Sequence, residues 1–546
     1  ADVYTQRFLF CIGAAIGKSI NPMQYPDLKT IEAVMRWGDG VLRVLGNEGF
    51  KVLKTYEAIV IGVIQEKGER GIISPGLFLS NTLQDLFDDK MIYKEYAEYL
   101  IEIIRPVDNL HYLTQLYGMH RIWGHPMVDS KKGMEKVISI GRKNIIRNSS
   151  LSRDAGRMFK MLFSREYRSK HGMYPAVHEY PSELVTKLLE NDGSATNVKI
   201  HRIEEWDRVV FKQMFQLPET FNLSMVVADK SISPTRSELA TIIKTRRTVM
   251  SPEKRRGVIR WLEDTTLNPR EFLKAVNEGN FPDDHKIIGL TPKERELNPT
   301  PRMFALMSHL LRVYVVLTEQ LLSDHILKYF PQITMTDTLL DLTKKMYSTV
   351  RHQSVLNKKR GSDRTWTSKV ICMSLDFEKW NGHMRKEMTL GVFTPIGDLF
   401  GMTELYNVTY DIFSECYYYL ADGTYVPDIH KGDLLVSEPF SFQNHQGGME
   451  GLRQKGWTVF TVCALEVVLS QYDCTYRIMG MGDNQVLQIT LYTGKLNEDG
   501  SASEEGLDEM KETMRRIFEA LVNTFTSAGL PLKPLETWMS EDLYVY

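Results

Sequence analysis

Two aspartates stand where this chain is set to turn. Asp376 closes the apolar run Val370-Ile371-Cys372-Met373-Ser374-Leu375, and Asp483 lies in Gly482-Asp483-Asn484-Gln485, between the apolar runs 477–481 and 486–490. The first pattern predicts a strand that ends at an acid; the second predicts a β-hairpin with an acid at its tip. Carboxylates held on neighbouring rigid elements are what nucleotidyl transfer needs. There, two Mg²⁺ ions about 3.5–4 Å apart clamp the attacking and leaving oxygens, and Mg²⁺ takes oxygen ligands from a rigid frame. Each aspartate alone reads more simply as a solvated cap, so the chemistry rests on what surrounds them.

The surrounding elements have an order. Gly447-Gly448 opens a stretch whose residues 457–470 are apolar on nearly all sides, the pattern of a buried helix. After the hairpin, Leu507, Met510, Met514, Ile517, Leu521 and Phe525 form a helical stripe, with Ser503 placed as its N-cap and Gly529 as its stop. Leu530-Pro531-Leu532-Lys533 then reads as a strand. Strand, helix, hairpin, helix, strand is the split β-α-β order of a ferredoxin-like antiparallel sheet, the plan of a polymerase palm. Residues 1–230 read as helical, with apolar positions such as Val34, Val41, Val44 and Leu45 spaced at three and four. Between 244 and 260, Lys244, Arg246, Arg247, Lys254, Arg255, Arg256 and Arg260 meet one acid, Glu253. That run is either a solvated helix face or a phosphate contact. Helices are expected to resume from 302 to 350.

Bulk properties narrow the class. With 43% hydrophobic and 25% charged residues in 546, the chain can bury several cores and is not a disordered one. Its 67 basic residues against 69 acids leave a net charge of −2, so any phosphate-binding surface must be a local one. The five cysteines form no Cys-x-x-Cys pair, which argues for reduced thiols and against a zinc site. No apolar run is long enough to span a bilayer and no signal-peptide pattern opens the chain, so no membrane partner is expected. Both ends, Ala1 and Tyr546, read as cut from a longer polypeptide.

Several motifs, in order, carry a resemblance. Asp376-Phe377-Glu378-Lys379-Trp380-Asn381 resembles the first palm motif of the large polymerase proteins of nonsegmented negative-strand RNA viruses, in a rhabdovirus-like form. Gln446-Gly447-Gly448-Met449-Glu450-Gly451-Leu452-Arg453-Gln454-Lys455-Gly456-Trp457 is similar to their second, Gly482-Asp483-Asn484-Gln485 to their third, and Leu530-Pro531-Leu532-Lys533-Pro534 with Glu536, Thr537 and Trp538 to their fourth. Upstream, Pro292-Lys293-Glu294-Arg295-Glu296-Leu297 with Arg302-Met303-Phe304 resembles the basic fingers motif, and Trp123-Gly124-His125-Pro126 also has a fingers counterpart.

The resemblance implies an α+β right-hand polymerase without its thumb. Residues 1–365 would form a mainly helical N-terminal region and fingers, with the basic motif at 292–304. Residues 366–546 would form a palm with an interspersed fingers segment and motifs at 371–381, 445–457, 477–490 and 503–540. It implies RNA-templated RNA synthesis from nucleoside triphosphates, for genome replication and transcription. Asp376 and Asp483 would hold Mg²⁺ (or Mn²⁺), helped by the carbonyl of Phe377, and Lys533 would be the general acid for the leaving group. Lys293, Arg295 and Arg302 would neutralise the triphosphate. Asn381, Gly447, Gly448 and Glu450 would read the ribose and base, with Asn484 and Gln485 also at the nucleotide or RNA. The implied partners are a nucleoprotein-coated RNA template and a viral phosphoprotein; the implied places are the virion and host cytoplasm, with the nucleus as the alternative.

Simpler readings stand beside these. Glu450 also reads as a cap of the buried helix, Trp380 and Trp457 read as packing residues, and His125, His383 and His445 as ordinary core or surface histidines. Gly13-Ala14-Ala15-Ile16-Gly17-Lys18-Ser19 imitates a phosphate-binding loop but has three residues between its glycines where four are needed. A non-catalytic viral fragment kept in a host genome is the other alternative, against which stand the intact Asp376, Asp483, Lys293 and Lys533.

Overall fold

Apolar side chains gather into two main cores. The first runs from Ala14 to Trp123 and is entirely helical; the second runs from Met134 to Leu532 and holds the sheets. The structure, a computed structural model, describes residues 2–68, 76–220, 231–245, 256–263, 266–293, 295–351, 366–534 and 536–541. In the first core, Trp123 packs edge-on against Trp37 and Tyr56, at 5.7 and 5.5 Å between ring centroids. Val34 and Val41 are buried there as their spacing requires, whereas Val44 turns outward. The Gln65 side-chain amide donates to the Met539 carbonyl at 2.8 Å, tying this helical unit to the C-terminal part.

The strands are β1 (Ile287–Pro292), β2 (Met303–Met307), β3 (Thr367–Leu375), β4 (Tyr417–Leu420), β5 (Ile429–His430), β6 (Asp433–Leu434), β7 (Ser441–Phe442), β8 (Thr475–Met481), β9 (Asn484–Thr493) and β10 (Trp538–Ser540). One sheet has the order β2-β1-β4-β7, a second β10-β3-β9-β8, and β5 pairs with β6. All pairings in the second sheet are antiparallel. With the helices Gln454–Leu469 and Glu504–Ala528, its chain order is β-α-β-β-α-β, the split arrangement expected from the sequence. The first of these helices is buried at every residue from Gly456 to Leu469. The second is capped by the Ser503 hydroxyl, which accepts from the Gly506 amide, and stops at Gly529 in the left-handed region at φ 93°.

The sheet departs from expectation at its edge. Leu530–Lys533 is not a strand: it makes one bridge, Leu532 to Phe377, and the fourth strand is the later β10. Pro531 and Pro534 lack N–H donors and fix φ, so this segment cannot extend a ladder. It still lies alongside the end of β3, with Lys533 N–H donating to the Asp376 carbonyl and Glu378 N–H to the Pro531 carbonyl, each at 2.9 Å. Nor do helices resume directly at 302, because β2 pairs with β1 as a hairpin arm before the helix His309–Leu321. The glycine-rich run 13–19 lies inside the helix Asp2–Ile20, with Gly17 against the Tyr25 ring, and so forms no phosphate loop. Of the basic run 244–260, residues 246–255 lie outside the described residues; Arg260 pairs with Glu238 at 2.8 Å.

One crossing organises the second core. The helix Ser150–His171 packs on both Lys386–Leu399 and Gln454–Leu469. A Cβ at Gly156 would stand 2.2 Å from the Gly391 carbonyl oxygen, and one at Gly391 would stand 2.2 Å from that of Ser152. The two helices therefore meet backbone to backbone. Gly156→Ala is expected to destabilise the protein by about 2–3 kcal/mol, since the backbones must part to admit the methyl. Denaturant unfolding measures this, and an unchanged midpoint would show that the crossing has slack.

Candidate functional site

The β3–β9 register brings the two aspartates together. Leu375 pairs with Gln485, so Asp376 follows opposite Asn484, the neighbour of Asp483. Asp483 is the second residue of a two-residue turn between β8 and β9; Gly482 precedes it at φ 64°, a value that a side chain would resist. The turn is held from beneath: the Gly482 backbone N–H donates to the Thr458 hydroxyl at 3.1 Å, and the buried Gln485 side-chain Nε2 donates to the Gly482 carbonyl at 2.9 Å.

Both aspartates open into a cavity of about 710 Å³. Of the residues singled out in the sequence, Lys293, Arg295, Arg302, Phe377, Asn381, Gly448, Glu450 and Lys533 line it as well. Gly447, Asn484 and Gln485 are not in its wall. Gly447 is packed so closely on the Gly382 carbonyl that a Cβ would stand 2.3 Å from the oxygen, and Gln485 braces the turn from inside. Trp380 and Trp457 are buried in an edge-on pair, and their indoles donate to the Thr461 and Tyr410 hydroxyls at 3.1 and 2.9 Å; they are packing residues.

Charge around Asp376 is unbalanced. The Lys533 ammonium donates to Asp376 Oδ2 at 2.9 Å and to Glu536 Oε2 at 2.8 Å. Burial pushes the Asp376 carboxyl up to about 6, and the nearby Glu536 adds to this against the pull of Lys533. A carboxylate raised by burial and by a second acid is one that a further cation would relieve. Asp376 and Asp483 form an oxygen-only donor pair, which suits a hard divalent ion. Among the described residues, no group of three or more His, Cys, Asp or Glu side chains gathers as a metal cluster. The oxygen pair would therefore depend on backbone, substrate or water oxygens for its remaining ligands. Asn381 is another residue of the wall, and its Oδ1 is buried without a hydrogen-bond partner.

On the β1–β2 side, Glu296 gathers the basic residues. It pairs with Lys293 at 2.6 Å and with Arg302, which in turn reaches Glu450 at 2.7 Å. Glu450 is not the helix cap that the simpler reading offered, since Gln454–Leu469 starts at Arg453 with no side-chain cap bond; it links the 447–452 loop to the basic segment between β1 and β2. Arg295 holds a left-handed backbone at φ 67°. Two buried arginines fix the loop from behind. Arg385 donates to the carbonyls of Gly382 and Ile140 at 2.7 Å and of Lys143 at 3.1 Å. Arg453 lies between the Tyr314 and Tyr406 rings and donates to the hydroxyls of Thr409, at 2.8 Å, and Thr318. The sequence reading missed Glu296 as a hub and both arginines as buried. It also missed Lys54, Arg121 and Lys136, which come to the cavity from other elements.

The sequence has relatives among known proteins. All of residues 1–546 match the family model described as Mononegavirales RNA dependent RNA polymerase. The chain is 54% identical to the RNA-directed RNA polymerase L of Lettuce necrotic yellows virus, 35% to that of Rice yellow stunt virus and 30% to the large structural protein of Mokola virus. Those alignments cover 100%, 100% and 93% of the chain but 26%, 28% and 24% of the respective relatives, so the chain spans about a quarter of their length.

His445 ties the loop's stability to pH. Its ring is buried against Gly141, and Nδ1–H donates to the Gly447 carbonyl at 3.0 Å. Burial pushes this imidazole down to about 4, and Arg385 and Arg142 push the same way. The folded pKa lies below the unfolded one, so the unfolded chain binds the extra proton; stability is full above pH 6.5 and falls as pH drops toward 4. The loss at pH 4 is on the order of 3 kcal/mol. Thermal unfolding at several pH values should show a shallower acid decline in His445→Gln than in the wild type; identical slopes would remove His445 from this role.

Proposed function

Because the chain belongs to the Mononegavirales RNA-dependent RNA polymerase family, we propose that its cavity is where a longer viral polymerase joins ribonucleotides on an RNA template. The observation that carries this reading is convergence: Asp376 and Asp483, more than a hundred residues apart, reach one cavity whose walls also hold Lys293, Arg295, Arg302 and Lys533. On this reading the β-α-β-β-α-β unit is the palm, and the β1–β2 hairpin with the helices around it belongs to the fingers. The same polymerase serves replication and transcription of a nucleoprotein-coated genome, with a viral phosphoprotein as partner, in the virion and host cytoplasm or nucleus.

Each residue has a task. Asp376 and Asp483, with the Phe377 carbonyl, would hold Mg²⁺ or Mn²⁺, which would supply stabilisation of the charge that develops on the attacking and leaving oxygens. Lys533 moves from Asp376 toward the pyrophosphate oxygen that accepts its proton, and Glu536 keeps the ammonium within reach. Lys293 and Arg302 exchange their internal partner Glu296 for the triphosphate, while Arg295 meets it directly. Asn381 offers its unpartnered Oδ1 to the ribose. Gly448 lets the loop backbone approach, since a Cβ there would strike Trp457 and the Asn381 carbonyl. Glu450, released by Arg302, faces the nucleotide; Asn484 positions Asp483, and Gln485 and Gly447 support the two loops from behind.

The alternatives have less behind them. The run 13–19 is helical, and a non-catalytic remnant would have no need to keep both acids and four bases around one cavity.

The test is template-directed extension by the full-length polymerase with its phosphoprotein. Asp483→Asn should lower the rate by about 10³-fold or more, a loss of roughly 4 kcal/mol of transition-state stabilisation, with the thermal midpoint unchanged. Arg295→Ala should raise the nucleotide KM and lower kcat, because triphosphate charge grows toward the transition state. A folded Asp483→Asn enzyme that extends primers at the wild-type rate would refute the assignment.

A further inference from the structure

The cavity carries two kinds of cation. Lys293 and Arg302 are neutralised by Glu296 and Glu450, and Lys533 by Asp376 and Glu536. Lys54, Arg121 and Lys136 also line the cavity, yet none has an ion-pair carboxylate among the described residues. Among the described residues, Lys379 pairs with its half-buried neighbour Glu378 alone, at 3.5 Å. These four come from different places: Lys54 ends the short helix Phe50–Lys54, Arg121 precedes Trp123, Lys136 is on the helix Ser130–Arg142, and Lys379 follows the Asp376 strand. Lys379 takes a left-handed backbone, φ 48°, at the start of the helix Trp380–His383.

Lys136 is the sharpest case. It is half-buried, and burial lowers its pKa; Lys379, Lys54 and Arg302 press in the same direction, with only Glu450 opposing. A cation that loses water and faces further cations is costly unless an anion completes the group. Among the described residues no carboxylate stands in ion-pair contact with Lys136; Glu450 acts on it only from farther away.

We propose that Lys54, Arg121, Lys136 and Lys379 form a phosphate-binding wall that holds the backbone of an RNA strand in the cavity of Asp376 and Asp483, an inference that rests on the cavity's assignment to RNA synthesis. The ligand is a strand and not the incoming triphosphate for a reason of spacing. Of the cations given to the triphosphate, Lys293 and Arg302 keep Glu296 as an internal partner and sit together on one segment with Arg295. Four positive groups on separate elements suit successive phosphodiesters better than one compact polyphosphate. The first helical core thereby takes part in the site, through Lys54 and Arg121.

Two titrations of the full-length polymerase decide the matter: a 5′-hydroxyl single-stranded RNA oligonucleotide across a series of salt concentrations, and the nucleotide KM in extension. Lys136→Gln should bind the RNA about fivefold more weakly near 0.1 M salt and reduce the slope of log K against log salt by about 0.7, one phosphate's share. Its nucleotide KM should stay at the wild-type value, and Lys136→Arg should restore RNA binding. Lys54→Gln, on an exposed side chain, should repeat the effect and serves if Lys136→Gln lowers the thermal midpoint. Unchanged RNA affinity in both Gln variants overturns the proposal, and a raised nucleotide KM with unchanged RNA affinity gives the wall to the triphosphate instead. Asp483→Asn is the separating control. If it proves fully active, the catalytic assignment fails, while weaker RNA binding by Lys136→Gln would still stand as evidence for the wall.

Discussion

The site depends on one register. β3 and β9 pair over nine consecutive residues, from Thr367 with Thr493 to Leu375 with Gln485, and that pairing sets which residues emerge together at the end of the sheet. A slip of one residue would send every side chain to the opposite face and move Asp376 away from the hairpin tip. Two features hold the register. The inner residues Ile371, Met373, Leu487 and Ile489 are buried against the core, so a slip would expose them. The turn closes in two residues, Gly482 and Asp483, with a glycine where positive φ is needed, and allows no slack. The buried helix beneath fastens the tip through Thr458.

From that fixed point, charge is arranged in tiers. Carboxylates cluster at the sheet end, and Lys533 spans two of them. Around them, Glu296 and Glu450 hold Lys293 and Arg302 in a closed set of pairs. Farther out stand Lys54, Arg121 and Lys136, without an ion-pair carboxylate among the described residues. A chain with a net charge of −2 can therefore contain a strongly polarised cavity, because its acids and bases are sorted in space and not in number. The buried Arg385 and Arg453 belong to a different order: they satisfy backbone carbonyls, hydroxyls and rings, and they shape the loop without facing a ligand.

What could be read beforehand follows from the range of each signal. Asp376 and Asp483 were legible because each sits at the end of an apolar run, and turn chemistry is local. The helices of the sheet unit were legible for the same reason: one is apolar all round, the other striped and capped by Ser503 and Gly529. Leu530–Lys533 misled because its apolar residues alternate like a strand, while Pro531 and Pro534 withhold the donors that a ladder requires. The β1–β2 arm at 303–307 was hidden by the longer helical run that follows. Lys54, Arg121 and Lys136 gave no local sign at all. Isolated basic residues on helices and turns look like solvated surface, and only tertiary packing turns them toward one cavity. Arg453 was the reverse case, read within a motif and found buried between two tyrosines.

The glycine crossing of Ser150–His171 over Lys386–Leu399 bears on how the molecule moves. At ordinary helix contacts, side chains stand between two backbones and can absorb a shift by changing rotamer. At Gly156 and Gly391 no such cushion exists, since carbonyl oxygen and α-carbon touch directly. Displacement of one helix is passed to the other undiminished. The same long helix also lies on Gln454–Leu469, whose Thr458 holds the Gly482 turn. The crossing therefore acts as a pivot that transmits motion without loss, and the core under the cavity behaves as one stiff body. Movement between the two cores would fall at their boundary, which the Gln65–Met539 hydrogen bond crosses.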